Sequence, residues 1–205
     1  MHATKSMIAW IIVASLSGCV SIADINAAMG RIDREWQLEY QRSGEELRYR
    51  VVEAPATTVV KAMRQTFLDL GMPIQSFSVT EAFVLAESAA PTPLSAEEWK
   101  EIVRVDGPRA KEIGGWFMKL EDDPKNYIVR VRATAKESQG GITVVVLEYQ
   151  LDNPSFRARG IQPARQVPPA AVRLASVKFW IRLEQRLSEA QVPAPRSRRE
   201  DERRA

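Results

Sequence analysis

Histidine is nearly missing from this chain of 205 residues, since the only one is His2. Cysteine also occurs once, as Cys19. A Ser-His-Asp or Cys-His site needs an imidazole as general base, so neither can be assembled from residues 20–205. Zinc sites of the His/Cys type are excluded for the same reason. A lone cysteine closes no internal disulfide, so packing must hold the folded part together. There is no glycine-rich phosphate loop, and Gly140-Gly141 reads as a hairpin turn. No calcium loop spacing is visible, and no metal or cofactor is expected.

Carboxylates are what remains for chemistry. Asp122-Asp123 stand before Pro124 in an ordinary turn sequence. Glu97, Glu98 and Glu101 fall on the first turns of a predicted helix, where Ser95 and Glu98 have the spacing of a capping box. Each has a structural explanation, so no catalytic residues are assigned and an enzyme is not expected.

An excess of charge is also lacking where it would matter. Of 29 basic and 26 acidic residues, one base lies in residues 1–18. Five arginines and three acids lie in residues 191–205, which leaves 23 of each sign between. The pI near 9.1 is therefore an effect of the ends. A broad phosphate-binding surface is not expected, and no nucleic-acid partner is assigned.

The first residues read MHATKSMIAWIIVASLSGCV. Lys5 gives a positive start, Met7 to Ala14 is apolar, and small residues lead to Cys19. This is the layout of a secretory signal. The apolar run falls well short of the roughly 20 residues that span a bilayer. Leu16-Ser17-Gly18-Cys19 resembles the lipobox of bacterial lipoproteins. That resemblance implies a signal peptide at 1–18, cleavage before Cys19, and diacylglycerol with a further acyl chain such as palmitate on that residue. Two or more chains anchor a protein stably. Val20 stands where aspartate would signal retention at the inner membrane. The expectation is a membrane partner reached through lipidated Cys19, at the outer membrane and facing the periplasm.

Residues 19–45 then form a tether and an amphipathic helix. Met29, Ile32, Trp36 and Tyr40 make its stripe, and the helix ends near Ser43-Gly44. Mixed acids and bases favour packing on the domain over lying on the membrane. A domain follows over 46–190. It begins with a strand at Leu47–Glu53, in which Leu47, Tyr49 and Val51 share a face. Pro55 opens a helix to Leu70 with the stripe Val59, Met63, Phe67 and Leu70. Strands are predicted at Ile74–Val79, Ala82–Glu87, Tyr127–Ala135 and Ile142–Leu151. A proline-rich loop at 153–169 leads to a helix at Ala170–Ala190. Val172, Phe179, Leu183 and Leu187 are its stripe, flanked by Leu174, Val177 and Ile181. Residues 191–205 are expected to be a disordered charged tail.

This order predicts an α+β fold: one antiparallel sheet packed against two helices in a two-layer sandwich, with an N-terminal helix. The lipobox, together with the strand, helix VVKAMRQTFLDLG and hairpin of Leu47–Glu87, resembles the helix-grip domains of BamC-type outer-membrane lipoproteins. Those belong to machinery that inserts β-barrels. The resemblance implies a non-catalytic binding or assembly module with an envelope protein as partner, and it transfers no functional residues.

Two segments could carry binding. The insertion at 89–125 is 37 residues long and holds Trp99, Trp116, Phe117 and Met118, with Gly114-Gly115 before the indole. It is either an aromatic lip beside a groove or a cover for the sheet. The segment from Ser155 to Val167 carries Arg157, Arg159 and Arg165 beside Phe156 and no acid. It is either a contact for acidic groups or a solvated connector. The other readings are a carrier of a lipid or apolar ligand, and a carboxylate enzyme acting on envelope glycans. The carrier requires a closed apolar cavity.

Overall fold

The computed structural model describes residues 20–42, 47–138, 140–161 and 166–191. The signal at 1–18, the proposed anchor Cys19, the helix end at Ser43-Gly44, Arg165 and the tail from residue 192 lie outside the described residues. Among the described residues the elements run in the order α1 (Ile22–Arg42), β1 (Tyr49–Val52), α2 (Ala56–Asp69), β2 (Ile74–Ser78), β3 (Phe83–Ala89), α3 (Ala96–Gly114), β4 (Ile128–Glu137), β5 (Thr143–Asp152), α4 (Pro154–Ala158) and α5 (Pro169–Gln191). The strands form one five-stranded sheet in the order β1-β5-β4-β3-β2. Every neighbouring pair is antiparallel, and the fold is α+β as expected.

Alternation along the strands decides which face is buried. Val129, Val131, Ala133 and Ala135 of β4 point inward. Their partners Leu151, Leu147 and Val145 on β5, with Val84 and Ala86 on β3, share that face. The two helices α2 and α5 supply the other half of the core. Val59, Met63 and Phe67 of α2 meet Val172, Phe179 and Leu183 of α5 in the same cluster. The rings of Phe67 and Phe179 lie 4.9 Å apart, and Phe179 in turn meets the edge of Trp180 at 5.1 Å.

The stripe assigned to the last helix is buried as expected. Of its flanking residues, Val177 and Ile181 are exposed instead. Trp180 takes the inner position, its Nε1 donating to the Leu47 carbonyl at 3.0 Å. Tyr49 and Val51 do share a face, but it is the open one.

An ionic clamp ties the ends of α2 and α5 together. Asp69 accepts from Arg182 Nε at 2.8 Å and from Arg186 Nε at 2.6 Å. These guanidiniums hold its carboxyl far below the usual carboxylate range, led by Arg186. A depressed acid adds stability that is present above its unfolded pKa and lost as pH falls through its folded pKa. Asp69→Asn should therefore cost about 1 kcal/mol at neutral pH, the upper range for a partly exposed ion-pair network. The deficit relative to wild type should shrink below about pH 4. Urea titrations at pH 7 and pH 3 measure it, and an equal deficit at both would refute the assignment.

Helix α1 and the C-terminal part of α3 form a satellite beside this sandwich, while Trp99 and Ile102 near the start of α3 belong to the main core. Ser21 and Asp24 cap the start of α1 by exchanging bonds of 3.0 and 3.1 Å. Ala28, Met29, Ile32 and Trp36 then bury the predicted stripe of α1. Ile32 and Trp36 pack with Ala110 of α3 in a small second cluster. Glu39 pairs with Arg109, and the Tyr40 hydroxyl donates to the Val167 carbonyl. Among the described residues no helix is long and apolar enough to cross a membrane.

Candidate functional site

The insertion owes its shape to α3. Ser95 caps it with the expected box: its Oγ accepts the Glu98 N–H at 3.2 Å, and its own N–H donates to Glu98 Oε2 at 2.7 Å. The helix runs on through Pro108 to Gly114. Trp99, Ile102, Asp106 and Ala110 recur at helical spacing and are all buried, which carries the helix through Asp106-Gly107-Pro108. Asp106 accepts the Ala170 N–H at 2.9 Å, next to the start of α5. Burial pushes the Asp106 carboxyl up, while that N–H pulls it down. Among the described residues Asp106 is the one carboxylate that is buried.

The end of α3 is where the predicted aromatics part company. Arg31 of α1 donates to the Ile113 and Gly114 carbonyls at 3.1 and 2.9 Å, placing a cation on the helix C-terminus. A Cβ on Gly114 would lie 2.5 Å from Met118 Cγ, so only glycine lets the returning chain approach this closely. Gly115 follows at φ +112°, a region that disfavours side chains. The chain reverses there, and Met118 folds back against Ile32 and Gly114.

Trp99 is buried in the main core, its Nε1 donating to the Glu121 carbonyl at 2.8 Å. Phe117 is half-buried. Trp116 is 74% exposed, whereas Trp36, Trp99 and Trp180 are at 2%, 4% and 3%. It stands edge-on to Phe117 with ring centres 5.9 Å apart. The insertion thus serves both readings at different residues: Trp99 and Met118 pack, and Trp116 projects.

Beneath this tip lies an apolar cavity of about 40 Å³. Met29, Trp36, Trp99, Met118, Tyr127 and Leu151 are among its walls. Trp36 Nε1 is buried without a hydrogen-bond partner among the described residues. The volume is room for about one water, against the roughly 300 Å³ or more of small-molecule sites.

The arginine segment is not the plain loop that was expected. Asn153 caps the short helix α4, its side chain accepting from Ser155 and Phe156 at 3.0 and 3.2 Å. Phe156 meets the edge of Tyr127 at 6.0 Å. Tyr127 therefore joins the cavity under the insertion to α4, and burial pushes its phenol up.

Arg157 pairs with Asp152, and Arg159 lies 5.4 Å over the Phe156 ring. Arg165 is outside the described residues. Arg157 borders an open cleft whose walls also include Asp33, Arg130 and Asp152. The charges there are mixed, so the two described arginines do not converge on one anion. Asp122 and Asp123 are exposed and face Lys119 and Lys125. Among the described residues, no group of three or more Asp, Glu, His or Cys is placed to hold a metal ion.

One surface escaped the sequence reading altogether. A cleft of about 250 Å³ runs between β1 and α5, bordered by Arg50, Val51 and Glu53 on one side and Leu183, Glu184 and Leu187 on the other. Nothing in a four-residue strand signals that it will end at a sheet edge beside a helix. Compared with known proteins, the sequence matches no family model and no curated protein.

Proposed function

We propose that this protein is a lipid-anchored, periplasm-facing docking module of the cell envelope, held at the outer membrane through Cys19 and acting on a protein partner without catalysis. The observation that carries the reading is Trp116. An indole left 74% exposed at the end of a long helix costs solvation that burial against a partner would recover. Its setting is fixed in advance by Arg31 on the helix end, by Gly114 against Met118, and by the edge contact with Phe117. A preordered aromatic anchor loses little entropy on binding.

The carrier reading has less support. The apolar cavity of about 40 Å³ is far too small for an acyl chain unless α1 and α3 part. The resemblance of the leader to a lipobox, and of the strand-helix-hairpin order to BamC-type domains, points the same way as Trp116.

Photo-cross-linking in the native host tests the proposal. A photoreactive residue at Trp116 should capture one discrete protein, and the same residue at exposed Val105 of α3 should not. Cys19→Ala, which removes the proposed lipid site, should cut the yield at least severalfold. Capture of lipid alone at Trp116, or equal capture at both positions, would discard the docking reading.

A further inference from the structure

We infer that the cleft between β1 and α5 receives an extended peptide segment bearing basic and apolar residues, which adds to the sheet as a sixth strand beside β1. This site is separate from Trp116 and rests neither on the lipid anchor nor on that contact.

The backbone bonding fixes which groups are open. Ala135 N–H donates to the Ala82 carbonyl at 2.8 Å, so the odd residues of β4 turn toward β3. Its even residues then bond β5, through pairs such as Thr134 with Val146. The odd residues of β5 consequently face β1, and Arg48 Nε donating to the Leu147 carbonyl at 3.2 Å agrees with this. Arg50 and Val52, opposite Val145 and Thr143, carry the ladder to β5. Tyr49 and Val51 are left with N–H and C=O groups directed away from the sheet, without partners among the described residues.

The sheet treats its two edges differently. On β2 the register shifts between Ile74 and Ser76, and Arg64 lies 5.1 Å over the Phe77 ring. Pro73 stands immediately before the strand. These are the bulge, covering charge and proline that blunt an edge against pairing. β1 has neither the bulge nor the proline, and its covering charge, Arg48, lies farther off, 6.0 Å over the Tyr49 ring. Its register to β5 is regular, and Val51 is 68% exposed with Tyr49 at 42%.

The cleft fits one strand in length and chemistry. β1 spans about 13 Å at roughly 3.3 Å per residue. Trp180, Leu183 and Glu184, then Leu187 and Ser188, line about 12 Å of α5 at helical spacing. Glu53 and Glu184 border the cleft and have no ion-pair partner among the described residues, against the single base Arg50. The occupant is accordingly basic, with apolar residues at alternate positions against Leu183 and Leu187 and basic residues between them beside Tyr49 and Val51 on the open face. A second copy fits less well. An antiparallel β1 pair using all four outward groups would set Arg50 directly opposite its own counterpart.

A labelled peptide of alternating lysine and valine, and the same peptide N-methylated at every residue, test the proposal by fluorescence anisotropy on the chain from residue 20 onward. The unmodified peptide should bind, and N-methylation should weaken it about tenfold. Val51→Pro removes only an outward N–H and should weaken binding to a similar degree without touching the ladder to β5. Val51→Lys keeps the backbone and adds like charge, so it should weaken binding even if the proline variant folds poorly. Glu184→Lys should do the same. Equal affinity for both peptides, absence of binding, or a dimer in sedimentation that Val51→Lys dissolves would overturn the inference. The last result would assign the edge to a second copy of the chain.

Discussion

Phe179→Ala should lower the free energy of unfolding by about 3–5 kcal/mol, the range for deleting a buried phenyl ring. Phe179 is 1% exposed and sits where α5 crosses α2 over the sheet. It touches Phe67 at 4.9 Å and Trp180 at 5.1 Å, so its removal opens a void between two further rings. Those aromatics are too large to collapse into it cheaply. The loss should appear in every probe at once, because α2, α5 and the inner sheet face share one cluster. Chemical denaturation followed by far-UV dichroism and by tryptophan emission checks it. A loss below about 1 kcal/mol, or two separated transitions, would show that this cluster is not one cooperative unit.

Trp36→Ala should act differently, although a similar amount of side chain is lost. Trp36 is 2% exposed, but its neighbours are Ile32 and Ala110 in the satellite cluster. The expected cost is about 3 kcal/mol or more, concentrated in α1 and its contact with α3. Hydrogen exchange should rise throughout α1 while the amides of β4 and β5 keep their protection. Trp36→Phe should cost much less, because the indole Nε1 has no partner to lose. If α1 exchanges as slowly in Trp36→Ala as in wild type, its polar ties through Arg31, Glu39 and Tyr40 hold it without the indole.

The difference between these two residues also explains what the sequence could and could not reveal. Phe179 and Trp36 both occupy stripes of period 3.6, and β4 alternates with period two, so their burial is local information. Which cluster each joins depends on partners far along the chain. The extent of α3 was hidden for another reason. Asp106-Gly107-Pro108 carries strong breaker chemistry, yet the helix persists because Trp99, Ile102 and Ala110 bury one face and Asp106 meets Ala170.

The candidate contacts were partly legible. The insertion was notable for its length, but exposure of Trp116 and burial of Trp99 depend on which side of Gly114-Gly115 each falls. Arg157 and Arg159 looked free because Asp152 and Phe156 could not be recognised as their neighbours. The edge at β1 was invisible, since strand order is set by nonlocal pairing.

The attachment of α1 has a mechanical consequence. A pull on the N-terminal end of the described chain enters the fold through this helix, which packs on α3 and touches the main core at Tyr40. Such a load is met first by the small contact of Ile32, Trp36 and Ala110 and by the Glu39–Arg109 pair. The ten-residue strands β4 and β5, laced side by side, come later in the line of force. The satellite is thus a weak link placed in series ahead of the sheet. Under tension it would yield first, lengthening the N-terminal segment by up to the extended span of α1 while the sandwich stays closed.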